Sequence, residues 1–186
     1  MSIMAKNSIT RICIVGAEST GKTTLAIDLA RHYKTCWVPE YGRTYTEGRI
    51  YTKQEAWESF EFTYIAEQQN AFEDALEKVA NKILICDTDA FATGIWHEKY
   101  LGSVSEQVKE LYKNRRYDLY IMTDPQTPYA KDEIRVGEDS RVWMHERFIE
   151  DLVKNKKKFI VVKGNKQIRL AQAVTSIEDI INSSIK

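Results

Sequence analysis

Short apolar runs alternate with longer amphipathic segments along most of this chain. Five of the runs are rich in Ile, Val, Leu and Tyr and predict β-strands, at 11–15, 35–38, 82–86, 117–123 and 159–163. Near-continuous apolar stretches such as ILIC and FIVV are typical of strands that are buried on both faces of a sheet. The runs therefore predict a sheet that helices cover on both sides.

The segments between the runs repeat apolar residues every three or four positions, which indicates helices. We expect helices at 21–33, from about 53 to about 80, from about 90, from about 103 to about 115, at 142–154, and from 166 onward in one or two pieces. Capping boxes, Thr52 with Glu55 and Ser103 with Glu106, mark two of the starts. Aromatic residues at helical spacing are expected to pack in the core, namely Trp57, Trp96, Tyr100 and Trp143. Because strand and helix alternate, we predict one α/β domain over 1–186, with a mainly parallel sheet and right-handed crossovers.

Composition and charge exclude several classes of function. The 27 Lys and Arg residues balance the 27 Asp and Glu residues, so no global basic field indicates nucleic-acid binding. The three cysteines include no C-x-x-C pair, which favours free thiols in a reducing compartment. The first residues lack the apolar core of a signal peptide, and no apolar stretch approaches the length of a membrane span. We therefore expect a cytoplasmic protein that uses neither membrane nor nucleic acid.

The segment from Gly16 to Thr23, GAESTGKT, matches the phosphate-binding P-loop pattern G-x-x-x-x-G-K-[ST]. Its glycines permit a tight turn, its backbone N–H groups form an anion nest, and the following helix adds its positive end. Lys22 supplies a cation for the β- and γ-phosphates, and the Thr23 hydroxyl is placed to bind Mg²⁺. The pattern predicts an ATP site with Mg²⁺ on the loop and helix start, Gly16, Glu18, Ser19, Thr20, Gly21, Lys22, Thr23 and Thr24.

Three carboxylates follow neighbouring strands and predict an acceptor site for the phosphoryl group. Asp87 ends the third run, where it would hold the metal directly or through water or orient the acceptor, and Asp89 follows two residues later. Either could instead cap the helix that starts near residue 90, and this alternative is stronger for Asp89. Glu40 follows the second run and would accept a proton or bind a sugar diol, or else form a surface ion pair with Arg43. The site suits a small substrate that carries a hydroxyl group.

A guanine-nucleotide switch fits the sequence poorly. The segment nearest to the guanine-specifying pattern N-K-x-D is Asn165–Lys166–Gln167–Ile168, which has isoleucine where the carboxylate belongs. The segment Asp87–Thr88–Asp89–Ala90 likewise lacks the glycine of a D-x-x-G switch.

Three longer blocks resemble the ribosylnicotinamide kinase domain of NadR-type proteins. They are PEYGR, ICDTDAFATGIW and YDLYIMTDPQTPYAKDEIRVGEDSRVWMHERFIEDL, and the resemblance covers essentially the whole chain. It implies phosphorylation of nicotinamide riboside by ATP at the ribose 5′-hydroxyl, to give nicotinamide mononucleotide. It also implies a nucleoside-kinase-like P-loop fold with strand order 2-3-1-4-5, and the kinase domain without the nucleotidyltransferase domain of full-length relatives.

The resemblance assigns further residues, with two departures from the family pattern. Tyr41 and Asp132 are expected at the substrate, as is Tyr129, which stands where the family has a tryptophan that would stack on the nicotinamide ring. Glu133 stands where the family has glycine. A kinase of another nucleoside or small alcohol therefore stays an alternative, as does a non-catalytic ATP-dependent sensor.

The remaining predictions concern a lid and the adenine end of the site. The segment 125–141 carries two prolines, a glycine and several charges, and is expected to form a lid that excludes water. Arg135 and Arg141 would reach the γ-phosphate from it, the alternative being solvent-exposed charges. Gly164 and Arg169 are expected beside the adenine ring, although a plain strand–helix turn has the same sequence features. A homo-oligomer is compatible with the sequence.

Overall fold

A five-stranded parallel sheet forms the centre of the protein in a computed structural model, which describes residues 9–52, 56–126 and 139–184. The strands are β1 (Thr10–Val15), β2 (Trp37–Val38), β3 (Ile83–Asp87), β4 (Leu119–Thr123) and β5 (Phe159–Val162). Their order in the sheet is β2-β3-β1-β4-β5, and every pairing is parallel. The predicted strand order and fold class are therefore confirmed.

Seven helices connect or follow these strands within the described residues. They are α1 (Lys22–Tyr33), α2 (Tyr41–Thr52), α3 (Ser59–Glu77), α4 (Ala90–Leu101), α5 (Glu106–Lys113), α6 (Asp139–Lys154) and α7 (Lys166–Ser184). The helix predicted to start at Ser103 starts instead after Ser105, whose hydroxyl caps the N–H of Val108. The segment after residue 166 forms one helix.

The helix predicted from about 53 to about 80 corresponds to α3 alone, which starts at Ser59 and ends at Glu77, whereas the preceding helix α2 is absent from the sequence prediction. Thr52 is the last residue of α2, and the segment PEYGR leads directly into that helix. The capping box that starts α3 is formed by Glu58 and Glu61, whose side chains bond each other's backbone N–H groups.

Two apolar cores, one on each face of the sheet, result from the alternation of side chains along β1. Ile12 and Ile14 point to the face that α1 and α7 cover, where Leu29 and Ile177 are fully buried. Cys13 and Val15 point to the opposite face, beneath α4 and α6. Every residue from Ile12 to Val15 is fully buried, as expected for the central strand of a parallel sheet.

The carboxyl ends of the strands meet at one edge of the sheet, which is where open parallel sheets bind ligands. The loop 16–21 follows β1 at this edge, Asp87 closes β3, and Thr123 closes β4. Glu40 lies two residues after β2. The topology therefore assembles the predicted site residues from separate parts of the chain.

Two further sequence predictions concern cysteines and membrane spans. Cys13, Cys36 and Cys86 are all free thiols. Among the residues that the structure describes, no helix combines the length and the apolar character that a bilayer crossing requires.

Candidate active site

The loop between β1 and α1 has the backbone of an anion-binding turn. Gly16, Ser19 and Gly21 adopt positive φ angles of 139°, 57° and 85°. Gly21 is the N-cap of α1 and makes no side-chain capping hydrogen bond. The backbone N–H groups at the start of α1 therefore have no side-chain cap, and they point where an anion would lie.

Thr123, at the end of β4, holds this loop from behind. Its Oγ1 lies 2.5 Å from Thr20 Oγ1, and the Thr20 hydroxyl donates to the carbonyl of Ala17 at 2.7 Å. A Cβ on Gly16 would lie 2.5 Å from Thr123 Oγ1 and 3.0 Å from the Thr123 carbonyl oxygen. The first glycine of the loop is therefore required by packing as well as by its φ angle.

Lys22 and Thr23 begin α1 beside the loop, as predicted. The Lys22 ammonium donates to the Ala17 carbonyl at 2.9 Å, which bends the side chain back over the loop. The Thr23 hydroxyl donates to Asp87 Oδ2 at 2.5 Å, so it joins the P-loop helix to the end of β3. Asp87 is fully buried.

Thr23 and Asp87 are the residues that fit a magnesium ion. Hydroxyl and carboxylate oxygens are the ligands Mg²⁺ prefers, and it commonly takes only one or two of them from a protein and the rest from phosphates and water. No group of three or more His, Cys, Asp or Glu side chains with metal-binding geometry occurs in the described ranges. A metal at this position would therefore depend on a bound nucleotide for most of its ligands.

An open cavity lies beside the loop. Carboxylates, cations and hydroxyls face it, from Glu18, Glu40, Lys22, Arg43, Thr46, Thr88 and Thr93. Four rings form its other side, which we call the aromatic wall: Trp57, Phe62, Trp96 and Tyr100. A planar, partly polar molecule suits such a lining.

The aromatic wall is assembled from three parts of the chain. Trp57 precedes α3, Phe62 lies in its first turn, and Trp96 and Tyr100 lie one turn apart on α4. The Tyr100 ring centroid lies 5.4 Å from that of Trp57 and 5.9 Å from that of Trp96. Burial raises the pKa of the Tyr100 hydroxyl to about 12. The prediction that Trp57, Trp96 and Tyr100 only pack in the core is incomplete, because they also line the cavity.

Asp89 is a helix cap, and the structure does not support its predicted contact with substrate. It is fully buried, it caps α4 by accepting from the Ala92 N–H at 2.9 Å, and it accepts from the Tyr120 hydroxyl at 2.9 Å. Burial raises the pKa of its carboxyl group to about 6 despite these two hydrogen bonds. Both oxygens are committed to the core, so of the two sequence interpretations the capping role holds.

The structure also places Tyr41 away from the cavity, in contrast to the prediction. As the first residue of α2, it turns its ring against Tyr64 and Phe72 of α3, with centroids 6.0 Å and 5.5 Å away. Its backbone N–H donates to Gln69 Oε1 at 2.9 Å. The side chain packs between the two helices, whereas its neighbour Glu40 lines the cavity.

The residues predicted at the adenine end lie at the turn from β5 into α7. Gly164 has a φ angle of 94°, which a left-handed turn requires. The Arg169 guanidinium donates to the Thr20 carbonyl at 2.7 Å and lies over Gly21. Arg169 is therefore attached to the nucleotide loop, and Thr24 is exposed on the first turn of α1.

The predicted lid is only partly described. Tyr129, Asp132 and Arg135 lie outside the described residues, and α6 begins at Asp139, so the last residues of the 125–141 segment are helical. Arg141 is 3% exposed, which contradicts the alternative that it is a solvated surface charge. The adjacent Ser140 hydroxyl lies 3.5 Å from Glu18 Oε1.

Sequence reasoning missed Thr88, which lines the cavity. Thr88 follows Asp87 with a φ angle of 66°, an unusual conformation for a β-branched residue, and its N–H donates to the Ile14 carbonyl at 3.0 Å. Strain of this kind is common at ligand sites. The pattern of apolar residues does not indicate that Thr88 lines the cavity. Its position directly after a buried strand does indicate this.

The loop, the paired Thr23 and Asp87, and the adjoining cavity define a P-loop nucleotide-binding protein with a nucleoside-kinase-like fold. A family model described as an AAA domain (AAA_28) matches residues 11–169, and the chain belongs to that family. It is 32% identical over 154 residues to the trifunctional NAD biosynthesis/regulator protein NadR of Salmonella typhimurium, a match that covers 82% of this chain and 38% of that protein.

Solved structures share the fold. NadR protein in complex with NAD and AMP-PNP superposes with a TM-score of 0.76 at 21% identity, and NadR protein in complex with NR gives 0.75 at 24%. Both matches cover 93% of this chain, and 50% and 52% of those chains. A deoxyadenosine kinase from M. mycoides gives 0.68 at 14%, covering 91% of this chain and 100% of its own. The chain thus spans about two fifths of the NadR relative and about half of the NadR chains.

Proposed function

We propose that this protein transfers the γ-phosphoryl group of ATP to the 5′-hydroxyl of a riboside, with nicotinamide riboside as the acceptor. The observation that carries the proposal is the position of the cavity. It opens directly beside the P-loop and shares Glu18 and Lys22 with it. A nucleotide on the loop would present its terminal phosphate to whatever molecule fills the cavity.

The comparisons support this choice of substrates. The similar NadR structures are in complex with AMP-PNP and with NR, and a deoxyadenosine kinase shares the fold. The aromatic wall offers ring faces to a planar heterocycle, and such faces attract a cationic ring in particular. The carboxylates of Glu18 and Glu40 would favour the same positive charge.

The geometry favours different roles for the two carboxylates that the sequence could not separate. Asp87 is buried and bonded to Thr23, which suits the metal side of the site. Glu40 lines the cavity, which suits the acceptor. In the proposed step, the acceptor oxygen attacks the γ-phosphorus and gives its proton to Glu40. The bond from that phosphorus to the bridging oxygen breaks, and ADP leaves.

The residues that bind the nucleotide would mainly position its phosphates and neutralise their charge, which is most of what phosphoryl transfer requires. The loop N–H groups and Lys22 would hold the phosphates, and Arg169 would keep the loop in place from α7. Magnesium, when bound at Thr23 and Asp87, supplies further positive charge to the β- and γ-phosphates. Arg135, Arg141, Tyr129 and Asp132 are proposed to complete the site from the lid side.

ADP release in the presence of ATP, Mg²⁺ and a panel of ribosides tests this function. Nicotinamide riboside should give the fastest turnover, and Lys22→Ala should reduce it by at least 100-fold. If only another riboside is phosphorylated, the protein is still a riboside kinase, but nicotinamide riboside is not its acceptor. Tight ATP binding with no turnover on any riboside or small alcohol would favour a nucleotide sensor and overturn the proposal.

A further inference from the structure

Glu18 belongs to the P-loop by sequence, yet its side chain faces the acceptor cavity. It is 5% exposed, and it lines the cavity together with Trp96 and Tyr100 of α4. The Ser140 hydroxyl at the start of α6 lies 3.5 Å from its Oε1. Inside the loop the carboxylate would lie among phosphate oxygens of the same charge, which is unfavourable in a partly desolvated site.

Lys99 of α4 lies beside Glu18 and is not among the residues that line the cavity. Its Nζ is 3.8 Å from Glu18 Oε1 and 4.9 Å from the centroid of the Trp96 ring. The two side chains are 11% and 6% exposed. Burial lowers the pKa of Lys99, and the charge of Glu18 opposes this shift. The helix α4 thus brings a mostly buried cation to a carboxylate of the P-loop.

This arrangement suits recognition of a hydroxyl group. A carboxylate accepts hydrogen bonds only, and a sugar hydroxyl can donate one to it. A nearly buried carboxylate needs a partner charge to stay ionised, and Lys99 provides one from outside the cavity. The Lys99 ammonium, 3.8 Å from Glu18 Oε1 and 4.9 Å from the Trp96 centroid, favours carboxylate orientations that keep Oε1 close to it.

We propose that Glu18 binds a ribose hydroxyl of the acceptor, and that Lys99 is a positioning residue which holds Glu18 towards the cavity. This inference rests on the proposed riboside kinase function. It departs from the sequence pattern, which assigns Glu18 to the nucleotide. It also makes one loop serve both substrates, with its backbone on the phosphates and one of its side chains on the acceptor.

The test separates the two substrates kinetically in the full chain, with the riboside that the wild type phosphorylates fastest. Glu18→Gln should raise the KM for the riboside about tenfold or more, the size expected for a lost hydrogen bond to a charged group. The KM for ATP and the Kd for AMP-PNP should stay within twofold. Lys99→Met should raise the riboside KM about threefold to tenfold, and Lys99→Arg should restore it to within threefold of wild type.

Deoxyriboside analogues identify the hydroxyl group. In the wild type, removal of the 2′- or the 3′-hydroxyl should raise KM, and in Glu18→Gln the same removal should have little further effect. Lys109→Met is the control, since the Lys109 ammonium pairs with Glu106 at 2.7 Å on the surface of α5. Circular dichroism melts of each variant separate misfolding from altered binding.

Three outcomes would overturn the inference while leaving the proposed function intact, and a fourth would overturn both. A raised KM for ATP with an unchanged KM for the riboside would show that Glu18 contacts the nucleotide instead of the acceptor. A lower kcat with both KM values unchanged would indicate a role in closing the site at Ser140. If loss of the 2′- or 3′-hydroxyl changes the KM equally in wild type and Glu18→Gln, Glu18 does not bind either hydroxyl group. If the wild type phosphorylates no riboside, the proposed function fails, and this inference fails with it.

Discussion

At the residue scale, the shape of the site depends on backbone conformations and close contacts that only some side chains permit. Gly16 has no room for a Cβ, Ser19 and Thr88 adopt positive φ angles, and Asp89 is committed to the core through both oxygens. For Thr88 and Asp89, residue type alone does not show which of the two reaches the cavity. Thr88 reaches the cavity, and Asp89, only two positions from Asp87, does not.

Gly16→Ala should remove ATP binding while leaving the protein folded. The new Cβ would lie 2.5 Å from Thr123 Oγ1 and 3.0 Å from a backbone oxygen, so the loop has to shift. Overpacking of this kind costs about 1–3 kcal/mol of the free energy of unfolding. Calorimetry with AMP-PNP and Mg²⁺ measures the binding. Gly48→Ala is the control, because its Cβ would contact nothing within 4 Å and alanine favours a helix. Unchanged affinity in Gly16→Ala would contradict the packing role of this glycine.

Asp89→Asn should flatten the pH dependence of stability between about pH 4 and pH 6. The pKa of Asp89 is raised to about 6 in the fold, above its ordinary value of 3.8, chiefly by burial. The folded state therefore binds a proton that the unfolded state releases in this window, and stability falls as pH rises. The full effect is about 3 kcal/mol, at 1.36 kcal/mol for each pKa unit. Urea denaturation of wild type and Asp89→Asn from pH 4 to pH 7 measures it.

Glu110→Gln is the matched control for this experiment. The Glu110 side chain is 59% exposed on α5, so its loss should leave the slope unchanged. Parallel pH profiles for wild type and Asp89→Asn would show that Asp89 does not titrate in this range.

At the element scale, a buried ion pair links α2 to α3. Glu61, in the first turn of α3, accepts hydrogen bonds from Arg49 Nε at 2.9 Å and from the Tyr45 hydroxyl at 3.1 Å, both on α2. Arg49 in turn lies 4.2 Å from the centroid of the Trp57 ring. Burial of Glu61 opposes its ionisation, but hydrogen bonds from the Glu58 N–H and from Arg49 lower its pKa overall. Through this chain of contacts, the helix pair holds one end of the aromatic wall.

Glu61→Ala should destabilise the protein by about 3 kcal/mol, because it leaves the Arg49 charge without its buried partner. It should also raise the KM for the riboside, since Trp57 loses its support from Arg49. Chemical denaturation and steady-state kinetics measure the two effects. Glu67→Ala changes an exposed position of the same helix and should alter neither. A loss of stability below 1 kcal/mol in Glu61→Ala would contradict this account.

Element by element, the predictions succeed where a local pattern governs the chain. The five strands, the P-loop helix and the start of the helix at residue 90 follow from runs of apolar residues and from capping chemistry. The helix α2 was missed, whereas α3 lies within the segment predicted to be helical from about 53 to about 80. The start of α3 was predicted about six residues too early, because its capping box is Glu58 with Glu61 and a glutamate N-cap is a weak sequence signal.

At the scale of the whole molecule, one sheet edge collects groups from distant parts of the chain. The P-loop follows β1, Asp87, the proposed magnesium ligand, ends β3, and Arg169 reaches the loop from α7. A ligand that contacts all of these groups links several elements of the fold, so its binding should stabilise the entire domain.

ATP with Mg²⁺ should therefore raise the melting temperature of the protein. At a concentration 100 times the Kd, binding adds about 2.7 kcal/mol, which corresponds to a shift of roughly 5–10 °C for a chain of this length. Differential scanning calorimetry measures the shift. Lys22→Ala and, separately, removal of Mg²⁺ with EDTA should each reduce it. A shift of less than 1 °C in the wild type at millimolar ATP and Mg²⁺ would count against the nucleotide site.

The sequence by itself determined the phosphate loop, the parallel sheet and the carboxylate at the end of β3. These depend on short-range patterns, namely apolar runs, glycines at fixed spacing, and a lysine and a threonine at the start of a helix. Local backbone energetics and burial are enough to make such patterns specific, and a single sequence contains them in full.

Only the tertiary structure decided which side chains face the acceptor. The rings of Trp57 and Tyr100 lie 43 positions apart in the sequence and 5.4 Å apart in space, and Glu18 lies 3.8 Å from Lys99, which follows it by 81 positions. Contacts of this kind depend on how α3 and α4 pack against each other and against the sheet. Residue type and local spacing are the same whether such a ring faces the core or the cavity, so the packing of the helices makes the choice.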